Sequence, residues 1–296
     1  MQARRAFRQR SFGNQRSQGV RAEAFAKVNF TLEVFGKRPD GFHSLRSVVM
    51  PISLCDTLYF EHAGEITCDS GFADDLCVKA AEVLRSGCGC SRGVSIKAEK
   101  RIPVGGGLGG GSADAAATLV ALNELWGLGR TREELAEIGA AVGSDVPALV
   151  LGGAVVMEGR GERVRRLPCP ESTCFHLVLA NPGVFCPTAE VYANCGCRLQ
   201  NDESILYNMR SAIESGDIGR VGEALMNDLQ ASAVALHPEI ARAMKALESA
   251  GARSVLMSGS GSTVFGLVPD EAQGRKTAAI LEADGFWARC VRTVVR

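Results

Sequence analysis

The chain has 296 residues, 46% of them hydrophobic, and its 33 Lys and Arg are balanced by 33 Asp and Glu. That neutrality excludes a general attraction to nucleic acid or to an anionic membrane surface, and no apolar run approaches the ~20 residues needed to span a bilayer. The length allows one large core or, as expected here, two.

Residues 1–22 hold six Arg, several Ser and Gln, and no Lys or Asp. They show no apolar period and read as a disordered tail. The same composition fits an organelle transit peptide or translation from an upstream start. A cytoplasmic location is expected, and a plastid-like one only if the tail is such a peptide. From residue 23 the pattern is strand-like: Ala24, Ala26, Val28, Phe30 and Leu32 alternate with Phe25, Lys27, Asn29, Thr31 and Glu33. Residues 36–41, Gly-Lys-Arg-Pro-Asp-Gly, read as a turn. Strands are predicted at 47–51 and 57–62, a helix at 74–85 and a half-apolar strand at 93–102. Helices follow at 112–126 and 132–141.

Strands at 155–158 and 176–180 lead to a second group of helices at 204–214, 219–229 and 238–250. Two strands, 254–257 and 263–268, flank a Gly/Ser turn, and a helix at 270–283 and a strand at 287–295 close the chain. Strands mixed with helices without strict alternation argue for an α+β fold. The expected division is a first domain over 23–157 and a second over 158–296.

The segment Pro103-Val-Gly-Gly-Gly-Leu-Gly-Gly-Gly-Ser-Ala-Asp114 carries six Gly in seven positions and runs into an Ala-rich helix. Backbone N–H groups of a Gly loop, followed by the positive end of a helix dipole, suit a phosphate. A flexible linker would not be closed by Pro on one side and a helix on the other. The helix opens Gly111-Ser112-Ala113 without the Lys of a Walker loop. A dinucleotide fingerprint can be forced onto Gly105, Gly107 and Gly110, but it belongs near the start of a βαβ unit and needs a ribose-binding acid.

Eleven Cys, an odd number with no Cys-x-x-Cys pair, read as reduced apolar fillers. A zinc site joining the triplets Cys88-Gly-Cys90 and Cys195-Gly-Cys197 is disfavoured, because neither has a His at ligand spacing.

Three segments, Ala26-Lys-Val-Asn29, the Gly loop and Met257-Ser-Gly-Ser-Gly-Ser-Thr263, together resemble the GHMP kinase superfamily. Further points of resemblance are Gly36-Lys-Arg-Pro-Asp-Gly-Phe-His43 and Gly143-Ser-Asp-Val-Pro147, and the likeness runs from residue 23 to the C-terminus. It implies a two-domain GHMP kinase-like fold with a ferredoxin-like C-terminal domain, and an ATP-dependent small-molecule kinase with an alcohol acceptor. Lys27 and Asp145 are then the catalytic pair: Asp145 accepts the proton of the attacking hydroxyl, and Lys27 holds that carboxylate ionised. Pairing with Lys weakens the base, which a loose phosphoryl-transfer transition state tolerates. The bland alternatives are a turn cap for Asp145 and a solvated strand residue for Lys27.

The resemblance places ATP on Lys100, Pro103, Val104, Gly105, Gly106, Gly107, Leu108, Gly109, Gly110, Gly111, Ser112 and Ala113. Lys100 has the alternative of being merely solvated. Mg²⁺ is implied, with Ser112 and Asp145 as candidate ligands and its protein ligands otherwise unknown. The implied acceptor is a cytidine diphosphate-linked methylerythritol, contacted by Asn29, Phe42, His43, Phe185 and Thr188. Phe42 stands where the family commonly has Tyr; stacking survives, but a hydroxyl contact is lost. For Thr188 a helix N-cap is an equal reading. Homoserine- or mevalonate-type acceptors are alternatives, as is a non-catalytic ligand-binding regulator. A monomer or homodimer without nucleic-acid or membrane partners is expected.

Overall fold

The alternating segment from Ala24 to Leu32 is the middle of a longer strand. A computed structural model describes residues 19–72, 74–198 and 202–295. In it β1 runs Val20–Lys37 and pairs antiparallel along nearly its whole length with β2, His43–Ala63. Residues 20–22, assigned above to the tail, therefore belong to the sheet; 1–18 lie outside the described residues. The two strands predicted at 47–51 and 57–62 are one, because Pro51 sits at an irregularity of the β1–β2 register that the strand passes through. The predicted turn is present, with Arg38 N–H donating to the Phe42 carbonyl at 2.7 Å.

The length of β2 lets it hold two further partners. Its C-terminal half pairs with β4, Gly93–Glu99, which carries the short parallel β3, Ile66–Cys68. Its N-terminal half pairs with β5, Val155–Gly159, which is followed by β6, Arg163–Arg166. On this sheet lie α1 (Leu76–Gly87), α2 (Gly110–Leu125) and α4 (Val146–Leu151), and α3 (Arg132–Gly139) packs on these helices. Sequence periodicity did not indicate β3, β6 or α4, which are too short to show a period.

The second sheet has the order β11-β7-β10-β9, all antiparallel. Its strands are β7 His176–Asn181, β9 Arg253–Met257, β10 Val264–Val268 and β11 Trp287–Arg292. Between β7 and β9 come α5 (Thr188–Ala193), α6 (Glu203–Ser215), α7 (Ile218–Ala224), β8 (Met226–Asn227), α8 (Gln230–Leu236) and α9 (Glu239–Ser249). The helix predicted over 219–229 thus ends early, and Asn227 is drawn into a parallel pairing with Leu32 on β1. With α10, Glu271–Ala283, this half gives the ferredoxin-like order expected above.

The boundary at 157/158 cuts through β5, so β5 and β6 belong to the first sheet. The halves also share packing. Phe30 of β1 lies 6.1 Å, centroid to centroid, from both Phe175 and Phe265 of the second half. Leu177, Leu179, Phe265 and Leu267 join the same core as Ala26, Val28 and α2, while the other face of the second sheet packs a separate core around α9 and α10. Fully buried aromatics at that junction fix one half against the other.

Candidate active site

Strand alternation puts Lys27, Asn29 and Thr31 on one side of β1, and the fold buries that side. Lys27 is only 4% exposed, so it is not a solvated strand residue. A buried ammonium needs partners. Its Nζ donates to Asn29 Oδ1 at 2.6 Å and stands 3.5 Å from Asp145 Oδ2. Asn29 Nδ2 donates in turn to Ser47 Oγ at 2.8 Å, and Ser47 Oγ to the Thr31 carbonyl at 2.6 Å. The chain of contacts holds Lys27 in one place. Asp145 occupies the N-cap position of α4, yet its side chain makes no capping hydrogen bond. That disposes of the turn-cap alternative and leaves the carboxylate facing the Lys.

The Gly loop crosses over this pair. Leu108 is buried, and its carbonyl accepts from Lys27 N–H at 3.0 Å. Gly109 has φ +69°, and a Cβ there would lie 3.1 Å from Lys27 Cε and 3.6 Å from Asp145 Oδ2. Only Gly lets the backbone pass this close in a left-handed conformation. The helix α2 starts at Gly110, two residues earlier than predicted, with Gly109 as a cap that offers no side chain to the first-turn N–H groups. Those groups are free for an anion by the geometry of any helix start. The side chains of Leu108 and Ala113 point into the core, so of these two only the backbone is available to a nucleotide.

The C-terminal Gly/Ser turn packs against the loop. Thr263 N–H donates to the Gly106 carbonyl at 3.1 Å, and Ser258 Oγ to the Gly107 carbonyl at 3.0 Å. Asn227 Nδ2 donates to the carbonyls of Met257 and Gly259, both at 2.8 Å. This Asn comes from the two-residue strand β8 and had no sequence signal.

Two cavities meet at the loop. One, of about 360 Å³, is lined by Lys27, Asn29, Asp145, Ser112, Phe185 and Thr188 among others. The other, of about 410 Å³, lies beyond Pro103, Val104 and Gly105 and reaches Lys100 and Asp114. Lys100 is not solvated: it bridges two carboxylates, at 2.5 Å from Asp56 and also hydrogen-bonded to Asp114. Burial alone would lower the Lys100 pKa, but these contacts hold it above its ordinary value. Burial pushes Asp114 up to about 7, against the pull of Lys100 and helped by the nearby Asp56 charge.

The predicted acceptor residues divide. Asn29, Phe185 and Thr188 line the first cavity. Thr188 is not an N-cap; Pro187 holds that position, and Thr188 Oγ1 meets Ser260 Oγ at 2.9 Å. Phe185 lies over Gly105, where a Cβ would come within 2.6 Å of its ring. Phe42 and His43 sit in the β1–β2 turn. The His43 ring stacks on Tyr192, centroids 5.5 Å apart, and the exposed Phe42 ring has the Arg160 guanidinium over it at 5.6 Å. Tyr192, which lines the first cavity and was not singled out from sequence, is thus the aromatic beside His43. Burial raises its hydroxyl pKa.

A Gly loop opening a helix, a buried Lys paired beneath it with a part-exposed carboxylate, and a second Gly turn locking it define a phosphate-handling site. Residues 75–153 match the model for the GHMP kinases N-terminal domain and 209–285 that for the GHMP kinases C-terminal domain. The chain belongs to the GHMP kinase family. It is 44% identical to the 4-diphosphocytidyl-2-C-methyl-D-erythritol kinase of Pelotomaculum thermopropionicum, over 88% of this chain and 93% of that one. It is 41% identical to the like-named kinase of Symbiobacterium thermophilum, over 92% and 99%. A crystal structure of 4-(cytidine 5'-diphospho)-2C-methyl-D-erythritol kinase superposes with a TM-score of 0.79 at 32% identity, covering 94% of this chain and all of the other. Homoserine kinase from Cytophaga hutchinsonii shares the fold, with a TM-score of 0.72 at 17% identity.

Proposed function

We propose that this chain transfers the γ-phosphoryl group of ATP to a hydroxyl of 4-diphosphocytidyl-2-C-methyl-D-erythritol. The single observation that carries the chemistry is the Lys27–Asp145 pair beneath a Gly loop, in a chain 44% identical to a kinase named for that substrate. A regulator that had shed catalysis would have no need to keep a buried ammonium against a carboxylate. The homoserine kinase match, at 17% identity, speaks for the fold alone.

The chain's own groups can be assigned work. The N–H groups around Gly109–Ser112 and the start of α2 hold the phosphates, and the cavity beyond Val104 takes the adenosine end. Asp145 accepts the acceptor's hydroxyl proton, and Lys27 offsets charge on the transferring oxygens; both act mainly by position, as a loose transition state requires. Ser112 Oγ and Asp145 Oδ line one cavity and offer the hard oxygen donors that suit Mg²⁺. When bound, Mg²⁺ would neutralise the β- and γ-phosphate charge there, held largely by phosphate and water.

Tyr192 lines the same cavity and His43 stacks on it; we assign this pair to the pyrimidine base, with Phe42 outside it. Phe185, over Gly105, lines the same cavity as Asn29 and Thr188 and is assigned with them to the acceptor. Cytidine diphosphate binding to the full chain, followed calorimetrically, tests this end of the site. Tyr192→Ala and His43→Ala should each weaken it by about tenfold or more, the loss of one stacking contact plus burial, and Phe42→Ala by much less. Equal weakening by Phe42→Ala, or none by Tyr192→Ala, would reverse the assignment.

A further inference from the structure

All eleven cysteines are free thiols, and the phosphoryl-transfer site uses none of them. The four in the Cys-Gly-Cys triplets do not gather: Cys88 and Cys90 pack on the first core and Cys195 on the second. Two others do meet. Cys68 ends β3, Cys77 stands in the first turn of α1, and Asp75 caps that helix. Their two Sγ atoms and a carboxylate oxygen of Asp75 lie within 4.8 Å of one another, the one such group of three among the described residues.

Two sulfurs and a carboxylate are a donor set for a thiophilic divalent cation. Tetrahedral zinc, with Zn–S near 2.3 Å and Zn–O near 2.0–2.2 Å, sets its donors roughly 3.5–3.8 Å apart. The observed limit therefore leaves about one ångström of closure at most, within reach of small side-chain rotations. The surroundings already orient the ligands. Asp75 accepts from the Ser70 hydroxyl and from the amides of Cys77 at 2.6 Å and Val78 at 3.2 Å. Outer contacts of this kind hold a metal-ligating carboxylate in place. The start of α1 turns its positive end toward the group, which favours an anionic ligand set. Cys77 is buried and Cys68 half-buried, so an ion would enter past Cys68 and keep a fourth position for water.

We propose that Cys68, Asp75 and Cys77 form a zinc site that fastens β3 to the start of α1. Binding replaces the two thiol protons by one Zn²⁺ and releases both to solvent, with no change of oxidation state. The consequence for the enzyme follows from position. Ser70, Phe72, Asp75, Leu76 and Cys77 wall the cavity of about 410 Å³ beside the Gly loop. Zinc therefore stiffens that wall and tightens nucleotide binding; this consequence, unlike the site itself, rests on the kinase reading above.

The full chain, stripped with a chelator and kept under reductant, can be titrated with Co²⁺ and then Zn²⁺. One equivalent of Co²⁺ should produce a thiolate-to-cobalt band and the d–d absorption of a tetrahedral site, and Zn²⁺ should abolish both. Cys68→Ser and Cys77→Ser should lose the band, and the Cys88→Ser/Cys90→Ser double variant should keep it. Circular dichroism confirms each fold, and Cys68→Ser, at a half-buried position, carries the test if Cys77→Ser does not fold. A wild-type chain without the band overturns the site. So does a Cys68→Ser variant that retains it, or a Cys68–Cys77 disulfide found by mass spectrometry in the reduced preparation. Zinc loading that leaves ATP affinity unchanged, with the band intact, overturns only the effect on the wall.

Discussion

Replacing Gly107 with Ala should loosen the clamp between the two Gly segments, and the cost can be worked out from the backbone. Gly107 has φ +75°, a left-handed conformation that costs an L-residue about 1–2 kcal/mol. Its Cβ would stand 2.2 Å from the Ser258 carbonyl oxygen and 2.9 Å from that of Gly261. Both are backbone atoms of the locking turn and cannot rotate away, which adds about 1–3 kcal/mol of overpacking. The sum of about 2–5 kcal/mol is a large part of a typical stability of about 5–15 kcal/mol. Gly105 is the matched control. It too is left-handed, at φ +67°, but its Cβ would meet the ring of Phe185, which is 67% exposed and free to swing. Gly105→Ala therefore costs only the backbone term. Scanning calorimetry should show Tm falling by roughly 4–20 °C for Gly107→Ala and by a distinctly smaller amount for Gly105→Ala, at about 2–4 °C per kcal/mol for a chain of this size. ATP affinity should fall about tenfold or more with the former. Equal Tm shifts for the two variants would refute the reasoning, because the rigid contact with the turn is all that separates them.

Asp145→Asn keeps the shape of the site and removes the proton acceptor, so kcat should fall by about 10²–10⁴ with ATP binding changed only a few-fold; near-normal turnover removes Asp145 as base. Lys27→Ala should lower kcat by about 10²–10³, the usual loss for a preorganised charge-stabilising group, and a pure effect on the KM for ATP contradicts the role given to it. Asp114 titrates at about 7 in the fold against an ordinary 3.8. The folded chain thus holds that proton more tightly. Its contribution to stability is complete below about pH 4 and lost as pH rises through 7. Asp114→Asn, which keeps the neutral form, should flatten the fall in Tm between pH 5 and 8; parallel Tm–pH curves for wild type and variant would count against the raised pKa.

Local patterns made much of this site legible. A Gly-rich loop before an Ala-rich helix is a contiguous signal, and so is the alternation that puts Lys27 and Asn29 on one side of β1. What the sequence could not show was depth. The polar row on β1 looks like a solvated face until the loop is laid over it, and Lys100 looks solvated until Asp56 and Asp114 arrive from 44 and 14 residues away. Tyr192 and Asn227 escaped for a similar reason. Each sits in a short element with no period of its own, and each acquires a role only through a partner distant in the chain, His43 for one and the Gly259 turn for the other. The length of β2 was hidden by Pro51, which reads as a strand breaker but lies at an irregularity of the pairing.

ADP release from Mg·ATP by the purified full chain tests the central claim most directly, with 4-diphosphocytidyl-2-C-methyl-D-erythritol, homoserine and mevalonate offered in turn as acceptors. The account predicts release with the cytidylated alcohol and none above background with the other two. Turnover of homoserine or mevalonate would keep the fold and overturn the substrate. A folded chain that binds ATP yet releases ADP with none of the three would contradict the catalytic role of Lys27 and Asp145.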